Sequence, residues 1–227
     1  MTASVIVPLF NRYDLTCQLL ESLTVDPDFE LVLVDNGSTD QTRLMDVAVR
    51  NNINRGFAVA CNQGARYSSG DVLIFLNNDT IVSVDWLPPL REALVDADIA
   101  GPKLVYPDGE PQSFGISVDF SRPPGLEAVN LRTDLNIGSY EVAAVTGACL
   151  AIRRGLFERL GGFDEGFWNG YEDVDLCLRA KAVGARIVFE PRSVVTHLES
   201  QSDRRERFAK VSENVARLRS KHCGVTA

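Results

Sequence analysis

Two apolar segments that each end on a carboxylate constrain this chain more than any other feature. Residues 30–34 are followed at once by Asp35, and residues 72–76 are followed by two asparagines and then Asp79. Continuous aliphatic runs are typical of buried parallel strands. In open α/β sheets, ligands sit just beyond the carboxyl ends of the strands. We therefore expect Asp35 and Asp79 to face one crevice.

A third acidic cluster lies in the second half of the chain. Glu172, Asp173 and Asp175 follow a turn at residues 161–171 that is rich in glycine and aromatic residues. A helix is predicted to begin here, and a helix N-terminus stabilises negative charge, so we expect these acids to be ionised at neutral pH. Asp175 is predicted to pair with Arg179 on the helix surface. Asp173 is then a candidate proton acceptor beside aromatic rings, as a sugar hydroxyl needs; a glycine loop with buried aromatic residues is the alternative.

Charge argues against one large class of partner. The 227 residues carry a net charge of −8, but residues 203–227 hold seven basic and three acidic residues, so they carry +4 and the remainder −12. An acidic body argues against nucleic-acid binding, which needs a basic footprint. The basic segment has two interpretations, a solvated helix face or a peripheral contact with anionic lipid.

The cysteine and hydropathy patterns favour a reducing compartment. The five cysteines are odd in number and form no CxxC pair, which argues against a disulfide framework or a structural zinc site. No apolar run approaches the roughly 20 residues that span a bilayer, and residues 1–5 show no secretory signal. We expect a cytoplasmic protein, with contact at the inner face of the membrane left open.

The apolar periodicity predicts a single α/β domain. Strands alternate with helices in the first half, which implies a mostly parallel, Rossmann-like central sheet covered by helices on both faces. Predicted strands lie at residues 4–10, 31–34, 72–76, 99–106, 142–152, 186–189 and 194–197. Predicted helices lie at residues 13–23, 56–67, 85–97, 155–160, 173–183 and 205–221, with a helix-start signal at residues 38–40. Residues 107–136 are predicted to be a long excursion.

Two common phosphate-binding motifs are missing. Neither GxxxxGK[ST] nor a GxGxxG after the first strand occurs, so a divalent cation held by carboxylates is the expected substitute. The segment at residues 77–79 resembles a DxD motif whose first acid is an amide, in which Asp79 would bind Mg²⁺ or Mn²⁺; a simple turn is the alternative. Asp35 would contact a nucleobase or ribose, or cap the next helix. His197 is a ligand type for Mn²⁺-class ions, although a single histidine is more often structural.

Eight short motifs occur in an order that resembles one enzyme family. They are Val5-Ile-Val-Pro8-Leu-Phe-Asn11, Val34-Asp35-Asn36-Gly37-Ser38-Thr39-Asp40, Asn54-Arg55-Gly56-Phe57-Ala58 with Asn62, Leu76-Asn77-Asn78-Asp79-Thr80, Thr146-Gly147-Ala148-Cys149, Gly161-Gly162-Phe163-Asp164-Glu165, Glu172-Asp173-Val174-Asp175-Leu176, and His197. The set resembles glycosyltransferase family 2 with the GT-A fold and, more narrowly, its bacterial rhamnosyltransferase-like branch. The resemblance covers residues 4–200.

This resemblance implies a role for each matching position. The nucleotide-sugar pocket would be lined by Pro8, Asn11, Asp35, Asn54, Asn77 and Asn78. Asp79 and His197 would hold Mn²⁺ or Mg²⁺ on the diphosphate. Asp173 would be the catalytic base, and Trp168 and Glu172 would seat the acceptor.

The resemblance also implies a layout and a reaction. A GT-A domain would span residues 1–202, with a nucleotide-sugar-binding half at 1–98 and an acceptor-binding half at 99–202, followed by an amphipathic helix at 203–227. The reaction would be a metal-dependent, inverting transfer of a sugar from a UDP- or dTDP-sugar, with Asp35 on the pyrimidine. The acceptor would be a hydroxyl of a glycan or lipid-linked molecule in cell-envelope polysaccharide synthesis.

Two other functions are weighed against this one. A nucleotidyltransferase that makes nucleotide sugars would need a glycine-rich, basic loop after the first strand, where this chain offers only Arg12. A non-catalytic nucleotide- or carbohydrate-binding module is the third reading, and the presence of both Asp79 and Asp173 argues against it. The sequence does not indicate an oligomeric state.

Overall fold

The computed structural model describes residues 1–23, 28–121, 127–131, 138–198 and 210–223. Within them the strands are β1 (Ala3–Leu9), β2 (Glu30–Asp35), β3 (Val49–Arg50), β4 (Val72–Leu76), β5 (Thr80–Val82), β6 (Ile99–Val105), β7 (Pro111–Ser113), β8 (Ile116–Asp119), β9 (Glu127–Asn130), β10 (Tyr140–Glu141), β11 (Cys149–Arg153) and β12 (Ile187–His197). The α-helices are α1 (Tyr13–Leu23), α2 (Phe57–Tyr67), α3 (Leu87–Asp96), α4 (Arg154–Arg159), α5 (Glu172–Ala182) and α6 (Val211–His222), and a 3₁₀ helix spans Gln41–Leu44.

Ten of these strands form one mixed sheet in the order β10-β12-β6-β11-β4-β1-β2-β3, with β5 paired to β12 and β7 to β6. The strands β3, β2, β1 and β4 pair in parallel. Strand β11 lies antiparallel between β4 and β6, and β6 pairs in parallel with β12. Strands β8 and β9 form a separate antiparallel pair. The predicted α/β class, with a central sheet between helices, is confirmed.

An apolar layer covers each face of the sheet. Strand β1 sends Ile6 into one layer and Val5 and Val7 into the other, because successive side chains of a strand point to opposite faces. Helices α2, α4, α5 and α6 cover the first face, and α1 and α3 cover the second. Leu218 of α6 is fully buried in the first layer, so the C-terminal helix shares the core of the main body. A membrane-crossing helix is absent from the described part of the chain, where no helix has the required length and hydropathy.

The close approach of α2 to the sheet depends on Gly64. A Cβ atom at this position would lie 2.4 Å from Cγ2 of Ile6 and 3.2 Å from Cγ2 of Val34. The missing side chain therefore lets α2 pack directly against β1 and β2, whose carboxyl ends it flanks.

The structure corrects three predictions about the second half. The strand predicted at residues 142–152 is confirmed only from Cys149 onward, because the apolar Val142, Ala144 and Val145 are buried in the core without continuous strand pairing. The two strands predicted at 186–189 and 194–197 are one strand, β12, with a register shift inside it. The excursion predicted at 107–136 contains β7, β8 and β9.

The C-terminal and 3₁₀ helices also differ from their predicted extents. The predicted amphipathic helix is present as Val211–His222, and residues 203–209 lie outside the described residues. The helix-start signal at residues 38–40 is confirmed, because the Asp40 carboxylate caps Thr42 N at 3.0 Å, but the helix that follows is a four-residue 3₁₀ turn.

Candidate active site

A cavity of about 250 Å³ opens beyond the carboxyl ends of β1, β2 and β4. Eight of the eleven residues that the sequence assigns to the site line it, namely Pro8, Asn54, Asn77, Asn78, Asp79, Glu172, Asp173 and His197. Asp79 and Asp173, which are far apart in sequence, therefore line one cavity. Asn11, Asp35 and Trp168 lie outside the lining.

Asp79, His197 and Asn77 meet on one side of this cavity. The Oδ1 atom of Asp79 lies 3.2 Å from Nε2 of His197, and Nδ2 of Asn77 lies 3.4 Å from the same nitrogen. Strand β5 pairs antiparallel with β12, with Thr80 opposite His197, which brings the two segments together. This arrangement gathers a carboxylate, an imidazole and an amide at the end of β4.

The buried Gln112 fixes the orientation of the His197 ring. Its Nε2 donates to the backbone carbonyl of His197 at 3.1 Å, and since a carbonyl only accepts, Oε1 of Gln112 must face the ring. That oxygen lies 2.7 Å from Nδ1 of His197, so Nδ1 carries a proton and donates it. The other ring nitrogen, Nε2, then faces Asp79 and Asn77.

These residues fit a divalent cation that takes other ligands from its substrate. Two neighbouring ligands of an octahedral ion, each about 2.1 Å from the metal, lie about 3 Å apart, close to the distance between Asp79 Oδ1 and His197 Nε2. Within the described residues no group of three or more His, Cys, Asp or Glu side chains is arranged so that it could hold a metal ion by itself. The chain itself would supply few charged ligands, which leaves coordination positions for phosphate oxygens.

Glu172 and Asp173 line the other side of the cavity, at the start of α5. The Asp173 carboxylate accepts hydrogen bonds from Gly147 N at 2.7 Å and from Val174 N at 2.8 Å. The Glu172 carboxyl accepts from Gly170 N at 2.6 Å. The backbone of residues 146–148, directly before β11, thus helps to hold Asp173 in place.

The expectation that these acids are all ionised is wrong for Glu172. Burial, followed by the neighbouring charge of Asp173, raises the pKa of Glu172 to about 8, so it holds a proton at neutral pH. Burial also raises the pKa of Asp173 above its usual value. A helix N-terminus contributes typically 0.3–1 kcal/mol to a nearby charge, whereas desolvation shifts a buried acid by several pKa units.

Asp175 forms the predicted pair with Arg179, at 2.7 Å, but not at the surface. Its side chain is fully buried and also binds Lys221 and His222 of α6, at 2.6 and 2.9 Å. Although burial acts to raise the pKa of Asp175, hydrogen bonds and the charges of its basic partners lower it. Asp175 therefore anchors α6 and does not face the cavity.

Asp35 is turned away from the cavity into local contacts. It is 1% exposed, its Oδ1 accepts from Ser38 N at 2.9 Å, and its Oδ2 pairs with Arg50. The prediction that Asp35 and Asp79 face one crevice is thus wrong for Asp35, because its carboxylate binds Ser38 N and Arg50 instead. The contact of Asp35 with a pyrimidine stays a prediction that requires Arg50 to move.

Asn11 and Trp168 also have structural partners. Asn11 has a left-handed backbone (φ 56°), and its Oδ1 accepts from Thr39 N at 2.8 Å, which ties the loop after β1 to the loop after β2. The Trp168 ring lies against Gly56, where a Cβ would be 3.3 Å from Cε3, and Lys210 Nζ is 5.4 Å from the ring centroid.

Sequence reasoning missed Asn36, which lines the cavity and organises its wall. The Asn36 amide donates to Asn54 Oδ1 at 2.9 Å and to Gly56 O at 3.1 Å, and it accepts from Asn51 Nδ2 and Arg55 N. Its position directly after β2 was a signal that could have identified it. Gln112 carried no such signal.

Comparison with known proteins places the chain in a family. The model of glycosyl transferase family 2 matches residues 4–161, and that of glycosyltransferase like family 2 matches residues 127–218. The O-antigen biosynthesis protein RfbC of Myxococcus xanthus is 34% identical over 225 residues, covering 88% of this chain and 18% of that protein. The N-acetylglucosaminyl-diphospho-decaprenol L-rhamnosyltransferase of Mycobacterium tuberculosis is 27% identical, covering 82% and 71%. The chain spans only 18% of the length of RfbC, and it spans 24% and 42% of the lengths of two further curated relatives.

Two solved structures share the fold. The crystal structure of GalNAc-T7 with UDP, GalNAc and Mn²⁺ has a TM-score of 0.72 at 23% identity, covering 96% of this chain and 48% of that one. The mannosyltransferase PcManGT from Pyrobaculum calidifontis, in complex with GDP-Man and Mn²⁺, also has a TM-score of 0.72, at 19% identity, covering 99% and 65%. With its cavity at the strand ends and the ordered motifs around it, this chain has the GT-A fold and belongs to glycosyl transferase family 2.

Proposed function

We propose that this chain catalyses metal-assisted, inverting transfer of a sugar from a nucleoside-diphosphate donor to a hydroxyl group. The observation that carries the proposal is that the Asp79–His197 pair and the Glu172–Asp173 pair line the same cavity. The first pair suits the diphosphate of a donor, and the second suits an attacking hydroxyl. The nucleotidyltransferase reading has no observation in its favour.

Names of relatives support a finer proposal about the substrates. One relative is named for O-antigen biosynthesis and another as a rhamnosyltransferase that acts on a diphospho-decaprenol-linked sugar. The solved structures of the same fold hold UDP, GDP-Man or UDP-GlcNAc. We propose a UDP- or dTDP-sugar donor and a glycan or lipid-linked acceptor in cell-envelope polysaccharide synthesis.

In the proposed reaction, Asp173 accepts the proton of the acceptor hydroxyl. The acceptor oxygen bonds to the anomeric carbon as the bond from that carbon to the diphosphate breaks, and the electron pair leaves on the phosphate oxygen. General-base help of this kind is worth about 10²–10⁴-fold. The amides of Gly147 and Val174 orient the carboxylate, and its raised pKa makes it a stronger base.

Glu172 and the opposite wall have supporting roles. The protonated Glu172 carboxyl donates a hydrogen bond to an acceptor oxygen, an interaction that an ionised carboxylate could not make. A Mn²⁺ or Mg²⁺ ion on Asp79 and His197, beside Asn77, would neutralise charge on the departing diphosphate.

Localisation stays a prediction. Contact of the basic segment with anionic lipid competes with ion pairs inside the protein, because Arg217 and Lys221 of α6 bind Asp164 at 2.7 and 2.6 Å. Binding of the protein to vesicles that contain anionic lipid, compared with neutral vesicles, tests the peripheral contact in the cytoplasmic reading.

A panel of nucleotide sugars with Mn²⁺ tests the proposed function. We expect thermal stabilisation by UDP or dTDP and slow hydrolysis of one matching sugar donor, both lost in a chelator. No stabilisation by any nucleotide would contradict the proposal. In a different outcome, a nucleotide stabilises the protein while no donor is hydrolysed and no sugar is transferred to any glycan or lipid-linked acceptor. That result would instead favour a binding module.

A further inference from the structure

One side chain of α6 fastens the loop that leads to the catalytic acids. The Asn214 Oδ1 atom accepts from Trp168 N at 3.2 Å, and its Nδ2 donates to Trp168 O and to Gly170 O, both at 2.9 Å. Asn214 is 3% exposed, so these three bonds form away from water. A buried polar group that loses such partners has no solvent to replace them.

The fastened loop has a backbone that needs support. Asn169 and Tyr171 are not glycines, yet they have φ angles of 49° and 72°. The left-handed region is sparsely populated by such residues and persists where surrounding contacts hold it. Asn214 holds the carbonyls of Trp168 and Gly170, one on each side of Asn169. The strained stretch ends directly before Glu172.

The same loop reaches both sides of the cavity. Asn169 and Gly170 line it, and Asn169 Oδ1 accepts from Phe57 N, at the start of α2, at 3.0 Å. Gly170 N donates to the Glu172 carboxyl at 2.6 Å. A shift of this loop would therefore move both the wall of the cavity and the hydrogen bond to Glu172.

Ion pairs hold α6 in register with this loop. Asp164, at the start of the turn, binds Arg217 at 2.7 Å and Lys221 at 2.6 Å. Although burial acts to raise it, these hydrogen bonds hold the pKa of the Asp164 carboxyl well below its usual value. With Asp175 bound to Lys221 at 2.6 Å, α6 is attached on both sides of the loop.

We infer that Asn214 is a positioning residue for the acceptor side of the cavity. Through it, α6 holds Asn169, Gly170 and the Glu172 carboxyl in the arrangement that seats an acceptor hydroxyl; this role rests on the proposed function. The C-terminal helix is then part of the site, although it lies outside the segment that the motifs cover.

Hydrogen exchange measured by mass spectrometry tests this inference without an enzyme assay. In Asn214→Ala, we expect exchange in the peptide of residues 165–173 to rise at least tenfold, while a peptide from α3, on the other face of the sheet, is unchanged. Asn214→Asp keeps an acceptor for Trp168 N but turns a buried carboxylate oxygen towards the carbonyls of Trp168 and Gly170, so we expect exchange at least as fast as in Asn214→Ala.

Two variants of the same helix serve as matched controls. Leu218→Val weakens core packing of α6 but leaves the Asn214 side chain in place, and Ser220→Ala changes an exposed residue whose hydroxyl bonds within the helix. In both variants we expect the loop to stay protected from hydrogen exchange, even if the melting temperature of the protein falls. Protection that falls as much in Leu218→Val as in Asn214→Ala, at equal loss of melting temperature, would overturn the inference.

Donor binding and turnover separate positioning from general damage. Calorimetry with UDP and Mn²⁺ should give Asn214→Ala a dissociation constant within twofold of the wild type. With a donor and acceptor in hand, kcat should fall at least tenfold at an unchanged KM for the nucleotide sugar. A wild type that transfers no sugar would refute the proposed function, while the exchange result would still decide whether Asn214 holds the loop. If Asn214→Ala does not fold, Asn214→Ser, which keeps a small polar group but is too short to make both donated bonds, decides, and loop protection equal to that of the wild type would refute the inference.

Discussion

The two halves of this molecule build one cavity by different routes. In residues 1–98, the lining residues Pro8, Asn36 and Asn77 lie at or directly after the ends of parallel strands. In the second half, His197 depends on Gln112, 85 residues away in sequence, and Asp173 depends on the backbone of Gly147, 26 residues away. Strand ends place the first set with little help, whereas tertiary contacts must place the second.

The contacts that support the two halves differ in the same way. Asn36 is satisfied by Asn54, Asn51 and backbone groups, all within 20 residues of it. By contrast, His197 is oriented by Gln112, 85 residues away, and Trp168 is held by Asn214, 46 residues away. The second half also contains the buried acids with raised pKa values. The side chain of His197 and the backbone of Trp168 thus depend on more distant contacts than the side chain of Asn36 does.

The largest expected effect comes from removing the proposed base, Asp173, in the second half while leaving the first half intact. Asp173→Asn preserves shape and an acceptor for Gly147 N, but it cannot take a proton, so transfer should fall about 10²–10⁴-fold. Calorimetry should show unchanged binding of UDP with Mn²⁺, since the strand-end residues are untouched. Asp14→Asn, at an exposed position on α1, is a suitable control. Near-normal turnover of Asp173→Asn would remove it from the mechanism.

The next largest effect concerns the proposed metal ligands, of which Asp79 lies in the first half and His197 in the second. Gln112→Leu removes the acceptor for His197 Nδ1, and loss of such a support typically weakens metal affinity about 10–100-fold. We expect that loss in the Mn²⁺ dependence of UDP binding, and a greater loss in Asp79→Ala. Gln112→Glu keeps an acceptor for Nδ1 and should retain more affinity. Equal binding in Gln112→Leu and the wild type, with or without chelator, would point to a metal-independent enzyme.

The difference between the halves also explains what the sequence could predict. The aliphatic runs of β2 and β4 report burial and a parallel sheet at once, so the residues after them were identified as site candidates. The same logic placed Asp35 in the cavity wrongly, because the sequence does not reveal that Arg50 pairs with it. Spacing predicted the pair of Asp175 with Arg179 but not its burial.

Gln112 and Asn214 show where sequence reasoning ends. A lone amide in a short strand or in a helix belongs to no periodic pattern, and its partners are named only by the fold. The prediction that Glu172 is ionised failed for a related reason. The effect of burial on its pKa outweighs that of the helix N-terminus, and burial depends on tertiary structure. Apolar periodicity likewise reported burial at Val142, Ala144 and Val145, not strand pairing.

A smaller expected effect is the contribution of the buried Glu172, in the second half, to the pH dependence of protein stability. Folded protein keeps a proton on Glu172 up to about pH 8, whereas an unfolded chain releases it near 4.5, the usual pKa. Stability should therefore fall as pH rises between these values, since the folded state binds more protons there. Urea unfolding of wild type and Glu172→Gln should show a shallower fall in the variant. Parallel curves would mean that Glu172 is ionised in the folded protein.

The smallest effect is a difference in opening between two buried thiols. Cys61 in α2 and Cys177 in α5 are both fully buried, and burial raises the pKa of Cys177 to about 12 and that of Cys61 well above its usual value. Both should react with an alkylating reagent only through local opening, after the exposed Cys223. Because α5 begins at the strained loop, Cys177 should be labelled a few times faster than Cys61 in dilute urea, as read by mass spectrometry. Faster labelling of Cys61 would place the less stable packing in the first half, and the contrast in stability between the two halves would then be reversed.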